Sequence, residues 1–91
     1  MNSNDRLTEL AKQIKENSER ARQLSNSLPK LKDMLVSKLE AQKTAIIESG
    51  DPIDLETEIN LLRLRIEGVN NAVASLVADN RKLEQEKANI Q

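Results

Sequence analysis

From Leu55 to Ile90 the apolar residues keep one spacing. Leu55, Leu62, Val69, Leu76, Leu83 and Ile90 recur at seven-residue steps, and Ile59, Ile66, Val73, Asn80 and Lys87 form a second series three residues ahead of them. In heptad notation the second series fills a and the first fills d, so one stripe runs along one face of a single helix. A strand turns a side chain to the same face every second residue and cannot bury this pattern. At roughly 1.5 Å per residue, the helix from Ile53 to Ile90 spans about 57 Å.

The first half carries the same spacing with interruptions. Leu7, Leu10, Ile14, Ala21, Leu24, Leu28, Leu31 and Leu35 follow at mostly three- and four-residue steps, with Asn17 at a core position. Lys38 then occupies a d position. The spacing predicts that Leu39 takes over the stripe there, a slip of one residue that continues through Gln42 and Ile46. Pro29 lies inside the pattern, in "SNSLPKL". Proline in a helix interior removes a hydrogen bond and crowds the preceding turn, at about 3 kcal/mol. Two outcomes follow from this. Either the helix ends near Asn26 and restarts with Pro29 in its first turn, or one long helix kinks at the proline. Leu24, Leu28 and Leu31 keep their register across the site, which favours the kink.

"ESGDPIDLETE" separates the halves. Gly50 suits a left-handed helix end, Asp51 an N-cap and Pro52 the first helical position. Asp54, Glu56 and Glu58 place negative charge at the positive end of the following helix. At the other terminus, Ser3 to Asp5 supply capping groups. So short a connection makes antiparallel neighbours. The sequence therefore predicts an all-α protein: a single domain over residues 1–91, built as a long antiparallel helical hairpin or coiled coil. Its helices cover about 4–48, kinked or broken near 26–29, and 52–90, with a turn at 49–51.

Whether the seam is a dimerising zipper depends on the flanks. β-Branched residues at a, Leu at d and one Asn at a, Asn80, are the chemistry of parallel two-stranded coils. In a parallel pair Glu58 and Arg63 attract, but Asp79 and Glu84 repel. Ala72, Val77, Leu61 and Leu64 also widen the apolar face beyond what two strands bury. That width predicts a hairpin that assembles into a bundle of three or more helices, with the end of the second helix from Asn80 onward projecting as a coil. The interface is expected on Leu24, Leu28, Leu31, Leu35 and Leu39 of the first arm. On the second arm it is expected on Leu55, Ile59, Leu62, Ile66, Val69, Val73, Leu76, Asn80, Leu83 and Ile90.

Composition narrows the function classes. The 91 residues include no Phe, Tyr, Trp, His or Cys. Without aromatic anchors the core is a thin aliphatic seam. Without His or Cys there is no ordinary general base near neutral pH, no thiolate metal site and no disulfide framework. The carboxylates at helical spacing, such as Glu16 with Glu19, have polar neighbours. Gly50 and Gly68 are too few for a phosphate loop. No enzyme, cofactor or metal is expected. Net charge is −1, and no basic helix precedes the heptads as a zipper-type DNA reader requires. The six basic residues from Arg20 to Lys43 read as a solvated face, with an acidic protein partner next in order and phosphate or lipid contact after it. No apolar run approaches a membrane span and "MNSNDRLTEL" is no signal peptide, so a cytoplasmic or otherwise intracellular protein is expected. The function these features predict is a non-enzymatic assembly subunit or adaptor that holds a complex together, with itself or with other proteins, through leucine-rich helix faces. A small regulator or chaperone that sequesters another protein's amphipathic helix is the alternative. An architectural nucleic-acid binder is the weakest of the three.

Overall fold

The computed structural model describes residues 2–90. Met1 and Gln91, which the expected domain included, lie outside the described residues. Two helices make up the chain: α1, Ser3–Ser49, of 47 residues, and α2, Ile53–Ile90, of 38 residues. They lie side by side and antiparallel in a rod of 69 × 16 × 15 Å. The long dimension is close to the roughly 70 Å that 47 residues span as an unbroken helix. Three cross-helix contacts fix the direction and the alignment: Arg6 with Glu86, Asn17 with Asn80, and Lys38 with Glu58.

The helix ends follow local chemistry. Asn2 caps α1, its side chain accepting a hydrogen bond from the Asp5 amide at 2.9 Å, one residue before the expected capping stretch. Gly50 ends α1 with φ 94° and ψ −137°. The positive φ is a glycine property, but this ψ is not that of the left-handed helical cap. At the start of α2 the expected roles shift by one. Helix begins at Ile53, and the Pro52 carbonyl accepts the first helical bond, from the Glu56 amide at 3.1 Å. Asp54 and Glu56 lie in the first turn of α2, where carboxylates offset the free amides.

Two expectations for the first arm are corrected. Of the two outcomes weighed at Pro29, the less favoured one, a break near 26–29, does not occur, since α1 runs continuously through Pro29. Pro29 is exposed, while Leu28 and Leu31 on either side of it are withdrawn from solvent. Packing on the inner face thus holds the helix through a defect confined to its outer face. The stripe also does not move to Ile46. Lys38, Gln42 and Ala45 are half-buried together with Leu39, whereas Ile46 is 55% exposed. Lys38 can occupy the inner face because its alkyl stem lies along the seam while its charge reaches outward. There its Nζ meets Glu58 Oε2 at 2.8 Å.

The core is thin. Leu10, Leu31, Ile59 and Leu62 are the buried hydrophobic residues. Leu10, fully buried, shows that the seam continues well toward the termini. The tail from Asn80 onward therefore does not project as a free coil. The first turns of α1 cover it, and Leu83, Glu86, Lys87 and Ile90 are all half-buried. Neither helix is long and apolar enough to cross a membrane among the described residues.

Candidate functional site

The expected interface residues are all at least partly withdrawn from solvent within the hairpin. Leu31, Ile59 and Leu62 are buried. Leu24, Leu28, Leu35 and Leu39 on α1 are half-buried, as are Leu55, Ile66, Val69, Val73, Leu76, Asn80, Leu83 and Ile90 on α2. In a two-helix rod, a side chain is withdrawn from water by the other helix. The heptad stripes are therefore largely consumed in closing the hairpin on itself.

Asn80 is the polar centre of the terminal half. Its Nδ2 donates to Ser18 Oγ at 3.1 Å and to the Ile14 carbonyl at 3.2 Å, and its Oδ1 accepts from Asn17 Nδ2 at 3.0 Å. One side-chain amide thus satisfies both its donor and its acceptor functions with groups from three α1 residues. An Asn in an apolar seam specifies register, because sliding either helix would strand it. The heptads placed both Asn17 and Asn80 at core positions. Their pairing was not foreseen, although stepping back along both arms from the turn brings them close to each other. Farther out, Arg6 Nε and Nη2 both donate to Glu86 Oε1, at 3.0 and 2.6 Å. With side chains 38% and 44% exposed, this pair contributes about 1 kcal/mol at most.

The turn half differs. Met34, Val36, Ile46, Ile47, Ile53, Leu61 and Leu64 are exposed there, while among the described residues Val77 is the large hydrophobic exposed in the other half. An open groove runs beside the seam, lined by Met34, Lys38, Glu58, Leu61, Leu62 and Arg65. It continues past Met34 and Arg65 to Asn26, Ser27, Lys30, Leu31 and Val69. Its apolar floor is thus edged by three cations and one carboxylate. Leu61 and Leu64 were recognised in the sequence as a widening of the apolar face. Met34 was missed because it stands alone at a flanking position of α1.

Within the described residues no three acidic side chains come together as a metal site would need, and no buried side-chain polar atom lacks a partner. The fold and its surface define an elongated two-helix hairpin suited to protein interaction by helix packing. No protein-family model, curated protein or solved structure matches the chain.

Proposed function

We propose that this chain is a non-enzymatic assembly subunit, a rod that holds a protein complex together by receiving further helices on its turn half. The observation that carries the reading is the uneven placement of exposed apolar residues. Met34, Leu61 and Leu64 are 41%, 62% and 62% exposed beside a seam that is already closed. Exposed leucines scattered singly are ordinary, but a group of them on one half of a small rod is the mark of a contact surface.

The same reading extends the seam. Stepping from Asn17–Asn80 in heptad steps on both arms sets Ile14 opposite Leu83 and Leu24 opposite Val73. In the turn half it sets Leu31 opposite Ile66 and Leu35 opposite Leu62. The two stripes then meet residue for residue as an antiparallel coiled coil, and partners bind the outside of a preformed rod.

The test is a photo-crosslinking side chain placed at Leu64, with Glu19 in the terminal half as the control. A discrete adduct at Leu64, with another protein or with a second copy, and none at Glu19 is the expected result. Absence of any defined adduct at Leu64, or equal labelling at both positions, overturns the reading.

The groove supports a second reading, capture of an amphipathic helix from another protein by a small regulator. Its apolar floor of Met34, Leu61 and Leu62, edged by Lys38, Arg65 and Glu58, suits a helix bearing apolar anchors and a polar outer face. Saturable binding of an isolated amphipathic peptide with a gain in helicity separates this reading from permanent assembly.

A further inference from the structure

We infer that the outer face of α2 is a self-recognition surface, on which a second copy of this chain packs its own α2 antiparallel about a two-fold axis. The inference rests on the assembly reading above and names the partner and the geometry.

On the exposed side of α2, from the rim of the groove outward, Thr57, Leu61, Leu64 and Gly68 follow at steps of four, three and four. That is the spacing of a second helix-packing stripe. All four are exposed, both leucines to 62%. An antiparallel partner whose two-fold axis passes between residues 61 and 64 sets Leu61 against Leu64 of the second copy, and Leu64 against Leu61 of the second copy. A two-fold contact must be self-complementary in this way.

The charges beside the stripe obey the same symmetry. In this arrangement Glu58 faces Arg65 of the second copy, and Arg65 faces Glu58 of the second copy. The two leucine contacts are thus flanked by two opposite-charge pairs. Among the described residues Arg65 makes no ion pair, and Glu58 is half-exposed beyond its contact with Lys38. A parallel pairing aligns each residue with its own equivalent and brings Asn60 beside Arg65 and Glu67 beside Ala72, with no ion pair at all. Charge complementarity therefore selects the antiparallel copy.

Gly68 supplies a separate observation. A glycine inside a helix costs stability relative to alanine, and a Cβ at Gly68 would meet nothing within 4 Å. Nothing within the chain requires glycine there. The two-fold arrangement places Thr57 of the second copy over it, where a missing side chain lets two helices approach closely.

The experiment is light scattering across a concentration series on the full chain, with circular dichroism on the same samples. The wild type is expected to form a dimer. Gly68→Leu should leave helicity equal or higher yet shift the dimer to monomer. Arg65→Glu alone and Glu58→Arg alone should each weaken the dimer at least tenfold, while mixing the two variants restores a heterodimer. Three results overturn the inference: a wild type that stays monomeric at high concentration, a dimer indifferent to Gly68→Leu, or a mixture that does not reassociate. A monomeric wild type that still yields a discrete adduct with a different protein at Leu64 removes the second copy and leaves the assembly reading standing. No adduct at all removes both.

Discussion

The contact between Asn17 and Asn80 allows the alignment of the two arms to be tested as a coupling energy. Asn80→Val removes three hydrogen bonds and leaves the Asn17 amide and the Ser18 hydroxyl to find water, while the Ile14 carbonyl keeps its place in the α1 ladder. Each such bond has a net value of about 0.5–1.5 kcal/mol, and the lower end applies because these groups are half-buried or exposed. The valine recovers about 1 kcal/mol by burying methyl groups in the seam. The single variant should therefore lie about 1 kcal/mol below wild type, whereas Asn17→Leu removes one of the three bonds and should lie within about 0.5 kcal/mol of wild type. In the double variant no amide is stranded and both apolar gains remain. It should exceed wild type by about 1 kcal/mol, whereas the two single changes sum to about 1 kcal/mol below it, giving a coupling of about 2 kcal/mol. Urea unfolding followed by far-UV circular dichroism measures each corner of the cycle, provided the slope with denaturant is unchanged. Asn17→Leu combined with Ile66→Val, fourteen residues from Asn80 along α2, is the control and should be additive within about 0.5 kcal/mol. A coupling below that limit for Asn17 with Asn80 would refute the alignment. The stabilised double variant should also lose register specificity, seen as mixed masses at high concentration.

Three other substitutions test the rod. Pro29→Ala touches only the exposed side of α1 and restores an amide donor toward the Ser25 carbonyl, so thermal unfolding should show a gain approaching 3 kcal/mol; a loss would mean that the proline is required by a packing contact. Lys38→Leu should stabilise by about 1 kcal/mol in denaturant titration, because seam burial outweighs a half-exposed ion pair whose acid, Glu58, stays solvated. Leu62, 8% exposed, is the reverse case: Leu62→Asp places a carboxylate in the seam and should abolish the helical signal or the assembly, so unchanged helicity together with unchanged mass would show that Leu62 is not where the heptads put it.

Much of the fold was legible because a long helix advertises itself by period. The heptads from Leu55 to Ile90 contain no proline, and every residue assigned to a and d there is withdrawn from solvent. The turn was legible because Gly50 and Pro52 each permit little else. Where the reading failed, a local rule met a tertiary one. Pro29 permits an interruption by its own chemistry, but the register kept by Leu24, Leu28 and Leu31 favours continuity, and α1 runs through it. Lys38 predicts a slip from its charge, but a lysine needs only its ammonium in water, and Glu58 receives it. Asn80 fits the chemistry of a parallel zipper because one helix viewed alone does not reveal what its polar core residue faces. Asn17 lies 63 residues away, and only the closed hairpin brings the two together.

The division of labour along the rod follows from these contacts. In the terminal half, Asn17, Ser18 and Asn80 fix the alignment with directional bonds, and Arg6 with Glu86 ties the free ends. In the turn half the two helices are already tethered by three residues of chain, and the half-exposed pair of Lys38 with Glu58 is the polar contact between them there. Positions outside the seam are released from that task. Met34, Leu61 and Leu64 use the freedom to remain apolar and exposed, at a cost in solubility that an isolated hairpin would have no reason to bear. A surface residue that favours neither the helix nor the monomer calls for a neighbour. In the self-recognition proposed above, Gly68 and the two leucines are where a second helix approaches along the exposed side of α2.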